Sequence, residues 1–150
     1  MQKIRITKKF TFEAAHILKN YDGPCKNVHG HSYKLDVTVL GYPDNNESST
    51  KEGMVMDFGD LKRIVNGKII KVFDHTLVVK ANDFSEHLND MKNLFGNIVE
   101  VSYQPTCENM LIDFVKRINT NLPKHIVLYS LTLWETATSY AEWFAEDNIK

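Results

Sequence analysis

Residues 10–39 read FTFEAAHILKNYDGPCKNVHGHSYKLDVTV. Two runs with a period of two flank a stretch rich in turn formers. In the first run Phe10, Phe12, Ala14 and His16 share one parity, and Ile4 and Ile6 extend that face towards the N-terminus. Such alternation marks a strand with one buried face. In the second run Tyr33, Leu35, Val37 and Val39 share a face, and His29 and His31 continue it. Asn20, Asp22, Gly23, Pro24 and Gly30 place a loop over residues 17–30. The second strand is expected from about His31 to Tyr42. If the two strands pair as a hairpin, three imidazoles converge at its end.

Further along, GYPDNNESST is a turn-rich connector. GMVMDFGDLKRIVNGKIIKVFDH then predicts a short strand running into a helix. Asp57 is its N-cap, and Leu61, Ile64, Val65 and Ile69 form its apolar stripe. Gly59 and Gly67 blur the helix ends. Residues 79–104 hold no sustained period and leave room for a short helix and a short strand. PTCENMLIDFVKRINTNL predicts a second helix, with Thr106 as N-cap and Met110, Leu111, Phe114, Val115 and Ile118 buried. HIVLYSLTLWET and SYAEWF read as two further strands. The order strand, strand, helix, helix, strand, strand (ββααββ) predicts an α+β domain over residues 1–150. Its expected form is a four-stranded antiparallel sheet with two helices on one face.

The chain has 150 residues, 43% hydrophobic and 25% charged, enough apolar material for one packed core. A net charge of -1 gives no global bias towards nucleic acid. No run approaches the ~20 apolar residues of a membrane span. The N-terminus MQKIRITKKF lacks the apolar stretch of a signal peptide. Cys25 and Cys107 are the two cysteines, which in that setting read as free thiols of a cytoplasmic protein.

Three neutral imidazoles with one open position suit a catalytic metal, whereas a fourth protein ligand would close the site. Cys25 is available for either arrangement. Against this stands the ordinary fate of a core histidine, which is to be hydrogen-bonded and nothing more. Gly30 would allow a sharp turn or a close approach. His75 follows Asp74, and a carboxylate beside an imidazole fixes its tautomer, although a turn after a helix also explains the pair. Cys107 sits in the first turn of a helix, where the macrodipole favours a thiolate, but without a histidine nearby. Glu108 in the same turn is sufficiently explained by that dipole. Glu135 shares parity with Leu131 and Leu133, and a carboxylate on an apolar face wants donors. Either an internal Arg or Lys or the guanidine edge of a pterin or guanine would serve.

Taken together, FTFEAAHIL, CKNVHGHSYKLDV, GMVMDFGDLK, FDHTL, PTCEN and LWETATSYAEW resemble, in this order, the 6-pyruvoyl-tetrahydropterin synthase family. The resemblance covers most of the chain. The three-residue gap between Cys25 and His29 is similar to the bacterial 6-carboxy-tetrahydropterin synthases of queuosine biosynthesis. The mammalian pyruvoyl enzymes usually have a longer gap. The resemblance implies a tunnelling fold, in which sheets of several subunits close a barrel. It also implies a homo-oligomer, typically a hexamer built as a dimer of trimers, with active sites between subunits. By the same resemblance His16, His29 and His31 hold Zn2+, Cys25 is the catalytic base, and Asp74 and His75 complete the proton-transfer apparatus. Glu135 anchors the pterin, with Glu108 and Thr106 lining its pocket. The implied reaction converts 7,8-dihydroneopterin triphosphate to 6-carboxy-5,6,7,8-tetrahydropterin, releasing acetaldehyde and triphosphate. A pyruvoyl product and a non-catalytic zinc-stabilised binding module are the alternatives. Residues 79–104 exceed the corresponding stretch of compact bacterial members, and are expected to cover the mouth of the site or remodel an interface.

Overall fold

A computed structural model describes residues 1–148. Strand β1 (Ile4–His16) pairs antiparallel with β2 (His29–Gly41) along its whole length, from Ile4 opposite Gly41 to His16 opposite His29. The alternation read from the sequence sets this register, because slipping by one residue would turn Phe10 and Phe12 to solvent. A 3-10 turn, Pro24–Lys26, shapes the connecting loop. Gly30 is part of regular strand, so it makes no sharp turn.

The helical segment runs from α1 (Phe58–Val65) through a π-helical turn, Asn66–Ile70, into α2 (Lys71–Phe73). Asp57 caps it by accepting the Gly59 N–H at 2.7 Å. The strand expected before it is absent. Gly53 takes a left-handed φ of 78°, and only Gly53 and Met54 exchange backbone bonds with Asp44 before the cap begins. Two further strands enlarge the sheet: β3 (Thr76–Lys80) and β4 (Ile98–Val101), separated by α3 (Leu88–Phe95). Next come α4 (Cys107–Asn119), β5 (Val127–Trp134) and β6 (Tyr140–Phe144).

The sheet is six-stranded in the order β4-β3-β1-β2-β5-β6. The expected four-stranded antiparallel sheet is therefore corrected to a mixed one. β3 runs parallel to both β1 and β4. Thr76, Leu77, Val78 and Val79 are all buried, so this strand shows no alternation to recognise. The placement of two helices on one face holds. Leu61, Val65, Ile69 and Phe73 of the first helical segment share a core with Met110, Phe114 and Ile118 of α4 and with the sheet residues Phe12, Tyr33, Leu35, Val37 and Leu131. Residues 79–104 extend the sheet edge, and Phe95 reaches an open groove shared with His31 and His75. Among the described residues, no helix is long and apolar enough to cross a membrane.

A candidate metal centre at the end of the first hairpin

The register that buries the hairpin core also gathers the histidines. His16 lies directly opposite His29, and His31 opposite Ala14, two residues along the same face. Ring centroids are 4.5 Å apart for His16 and His29, 5.1 Å for His16 and His31, and 4.9 Å for His29 and His31. One nitrogen from each ring lies within 4.8 Å of those of the other two.

Backbone carbonyls set two of the tautomers. His16 Nδ1–H donates to Pro105 O at 2.7 Å and His29 Nδ1–H to Asn27 O at 2.8 Å. A carbonyl only accepts, so the proton of each neutral ring is on Nδ1. Both Nε2 atoms are then lone-pair acceptors, yet they face each other at 3.0 Å. Two lone pairs at that distance repel unless a cation lies between them. With metal–nitrogen bonds of ~2.0–2.1 Å, the edge of a tetrahedral zinc site is about 3.3 Å, close to this separation. His31 Nε2 is buried without a partner among the described residues, and a metal would supply one. Burial holds the His16 imidazole below its ordinary value, against the opposing pull of the Pro105 carbonyl. Burial likewise lowers His31, with Glu135 opposing. Both shifts favour the neutral, ligating form. The residues fit a metal, and the carbonyls behind the rings are the outer support that ligating histidines usually have.

Glu135 reaches this cluster from just beyond β5. Its Oε1 is 3.7 Å from Nε2 of both His16 and His31. No internal Arg or Lys pairs with it among the described residues. Close to it lies Tyr33, 1% exposed, whose hydroxyl has no hydrogen-bond partner among the described residues. In the sequence Tyr33 stands on the apolar face of the second strand, with Leu35, Val37 and Val39. Its polar tip was the available signal, since a buried tyrosine hydroxyl ordinarily finds a partner. The two carbonyl acceptors left no mark in the sequence at all.

Other expected site residues lie around this centre. Cys25 is half-buried in the 3-10 turn. His75 Nδ1 is 3.0 Å from Asp74 Oδ1, so the sequence neighbours do touch. Asp74 also accepts the Glu13 N–H at 2.9 Å, and His75 takes a left-handed φ of 56°. The Glu13 N–H, foremost, lowers the Asp74 carboxyl. The His75 side chain is 77% exposed. It shares with His31 a groove of about 460 Å³, also lined by Glu13 and Ser32, but makes no bond to the histidine cluster. Thr106 caps α4 by accepting the Asn109 N–H at 3.3 Å, and Glu108 is exposed in the first turn. Cys107 is buried, its thiol donates to Leu133 O at 3.3 Å, and burial pushes it up to about 12. That environment removes it as a reactive thiol.

A family model described as 6-pyruvoyl tetrahydropterin synthase matches residues 5–146. The chain is 34% identical to a 6-carboxy-5,6,7,8-tetrahydropterin synthase of Haemophilus influenzae, over 93% of this chain and 97% of the relative. It is 32% identical to a dihydroneopterin monophosphate aldolase of Pyrococcus furiosus, over 89% and 90% respectively. Its fold is similar to the 6-pyruvoyl tetrahydropterin synthase of Caenorhabditis elegans, with a TM-score of 0.70 at 23% identity, over 97% of each chain. The α+β sheet with its helices on one face is the expected tunnelling fold, and the match spans the hairpin, the histidines and both core helical segments. The chain belongs to the 6-pyruvoyl tetrahydropterin synthase family.

Proposed function

We propose that this protein is a zinc-dependent 6-carboxy-5,6,7,8-tetrahydropterin synthase. It converts 7,8-dihydroneopterin triphosphate to 6-carboxy-5,6,7,8-tetrahydropterin, with loss of acetaldehyde and triphosphate, in queuosine (7-deazapurine) biosynthesis. The observation that carries this reading is the pair of carbonyl-fixed imidazoles whose Nε2 lone pairs meet at 3.0 Å. His16, His29 and His31 would hold the zinc. When bound, zinc supplies a Lewis acid for the oxygens of the substrate side chain. The similarity to named 6-carboxy-tetrahydropterin synthases supports the choice of product, as does the gap of three residues between Cys25 and His29.

Cys25 takes a proton from the substrate side chain as general base. His75, oriented by Asp74 at 3.0 Å, moves the second proton. Glu135 holds the substrate beside the histidine cluster, and Glu108 and Thr106 line the pterin pocket at the first turn of α4. The protein works in the cytoplasm as a homo-oligomer, a hexamer built as a dimer of trimers, with sites between subunits. The exposure of His75 supports an arrangement in which the dyad serves a neighbouring copy.

Products formed from dihydroneopterin triphosphate, read by mass spectrometry, test the reaction. 6-Carboxy-tetrahydropterin and acetaldehyde are expected. A pyruvoyl product alone, or an aldolase product alone, would overturn the assignment. Cys25→Ala is expected to keep one metal ion per chain and lose turnover. If the metal is lost with the thiol, Cys25 is a closing ligand and the site is a zinc-stabilised binding module. Glu135→Gln is expected to weaken pterin binding by roughly 2–5 kcal/mol, the usual cost of breaking a buried charged pair. Calorimetric titration reads this directly.

A further inference from the structure

Tyr33 is the largest buried side chain whose chemistry the proposed reaction leaves unused. It is 1% exposed, and its hydroxyl lacks a hydrogen-bond partner among the described residues. An unsatisfied buried hydroxyl costs about 1–3 kcal/mol, so a purely apolar position would favour phenylalanine. The ring itself is firmly held. It stacks on Phe12 at 4.9 Å with an interplanar angle of 10°, and the rings of His31 and His16 meet it edge-on at 5.5 Å and 6.4 Å. The hydroxyl is thereby aimed rather than loose.

Strand register identifies what it is aimed at. β2 and β5 pair antiparallel, and their terminal pair is Lys34 opposite Trp134. One step further, the opposed residues are Tyr33 and Glu135. The backbone of Glu135 is set by the β5–β6 turn, through its N–H to Ser139 O at 3.1 Å. Its carboxylate stands 3.7 Å from Nε2 of the same two histidines that pack against the tyrosine ring. With His16 protonated on Nδ1, its Nε2 has no proton to offer the carboxylate. Cys107 does not compete for the tyrosine, since its thiol donates to Leu133 O. Among the described residues, Tyr33 has a donor without an acceptor, and Glu135 a carboxylate without a Lys or Arg partner.

We propose that Tyr33 is a positioning residue for Glu135, its hydroxyl donating to the carboxylate and fixing it beside the metal-binding nitrogens of His16 and His31. This rests on the metal reading of the three histidines. It adds a residue that orients the substrate-contacting carboxylate without touching the substrate.

Cobalt, which suits three imidazoles as zinc does, gives a spectroscopic test independent of turnover. Cobalt is titrated into the metal-free forms of the wild type, Tyr33→Phe, Glu135→Gln and the double variant. Tyr33→Phe is expected to bind one cobalt per chain and to melt no lower than wild type without metal. Its visible d–d bands should shift in the same sense as those of Glu135→Gln, and the double variant should add nothing to Glu135→Gln alone. In turnover, KM should rise roughly tenfold with kcat changed less, the mark of weakened substrate holding, in the same sense as Glu135→Gln. Unchanged bands in Tyr33→Phe, or shifts that sum fully in the double variant, would overturn the proposal. Loss of cobalt binding in Tyr33→Phe would do the same, by making the hydroxyl part of the metal site. A wild type that binds cobalt but leaves dihydroneopterin triphosphate unchanged would sink the pterin reading, and the spectra alone would then decide the role of Tyr33.

Discussion

Burial separates the two cysteines. Cys107 is 8% exposed, hydrogen-bonded, and raised to about 12, whereas Cys25 is half-buried in a loop turn. Reaction with a thiol reagent at pH 8 is expected to modify one thiol per native chain, lost in Cys25→Ala, and two after denaturation. Modification of Cys107 in the native protein would contradict its burial. Asp74 has the opposite character. The Glu13 N–H, and after it His75, hold its carboxyl below 3.8. A depressed folded value means stability that is complete above pH 3.8 and lost as pH falls through the lower value. Asp74→Asn should therefore be less stable than wild type near pH 7. The gap between the two should close below about pH 4, as read by urea denaturation at a series of pH values. A gap that persists unchanged at pH 2 would place the effect of Asp74 in its shape instead of its charge.

At the scale of elements, the first helical segment runs past Gly67, which occupies the π-helical turn. Nothing lies within 4 Å of where a Cβ would sit, and φ is not positive there. Gly67→Ala should thus stabilise the protein by about 0.4–1 kcal/mol, by restricting the unfolded chain; chemical denaturation checks this. Sequence patterning revealed those elements whose two sides differ. The even face of β1, the apolar stripe of α4 and the caps Asp57 and Thr106 were all legible for that reason. β3 was not, because both its sides are buried. β4 was expected only as a short strand within an aperiodic stretch, and its edge position gives it a weak pattern. The same distinction applies to the site. His16, His29 and His31 could be joined by parity once the hairpin was assumed. The contact between Asp74 and His75, the carbonyls of Asn27 and Pro105, and the approach of Glu135 to His16 and His31 all depend on chain paths that no local spacing encodes.

For the whole molecule, His16 of the histidine cluster ties the end of the first hairpin to the Pro105 segment that leads into α4, and a metal held by the three histidines would strengthen that tie. A metal that binds only the folded chain, present a thousandfold above its Kd, would add about 4 kcal/mol. Its removal by a chelator should lower Tm by roughly 8–16 °C for a chain of this size, and a scan with and without chelator measures it. Assembly raises a sharper question, because the Asp74–His75 dyad is bonded to itself and exposed beside Glu13 of β1, while Cys25 lies in the loop that follows β1 and makes no bond to the dyad. If the dyad of one copy serves the thiol of the next, each working site draws Cys25 and His75 from two different chains. Cys25→Ala and His75→Ala would each be inactive alone. Unfolded together in equal amounts and refolded, they should form mixed assemblies in which about a quarter of the sites receive both intact groups. Activity should return to that fraction of wild type, and sedimentation should show the mixture at the same size. If both groups came from one chain, every site in the mixture would lack one of them. A refolded mixture of wild-type size without activity would therefore place Cys25 and His75 of a single copy in one site, and would require the loop around Cys25 to close onto its own dyad.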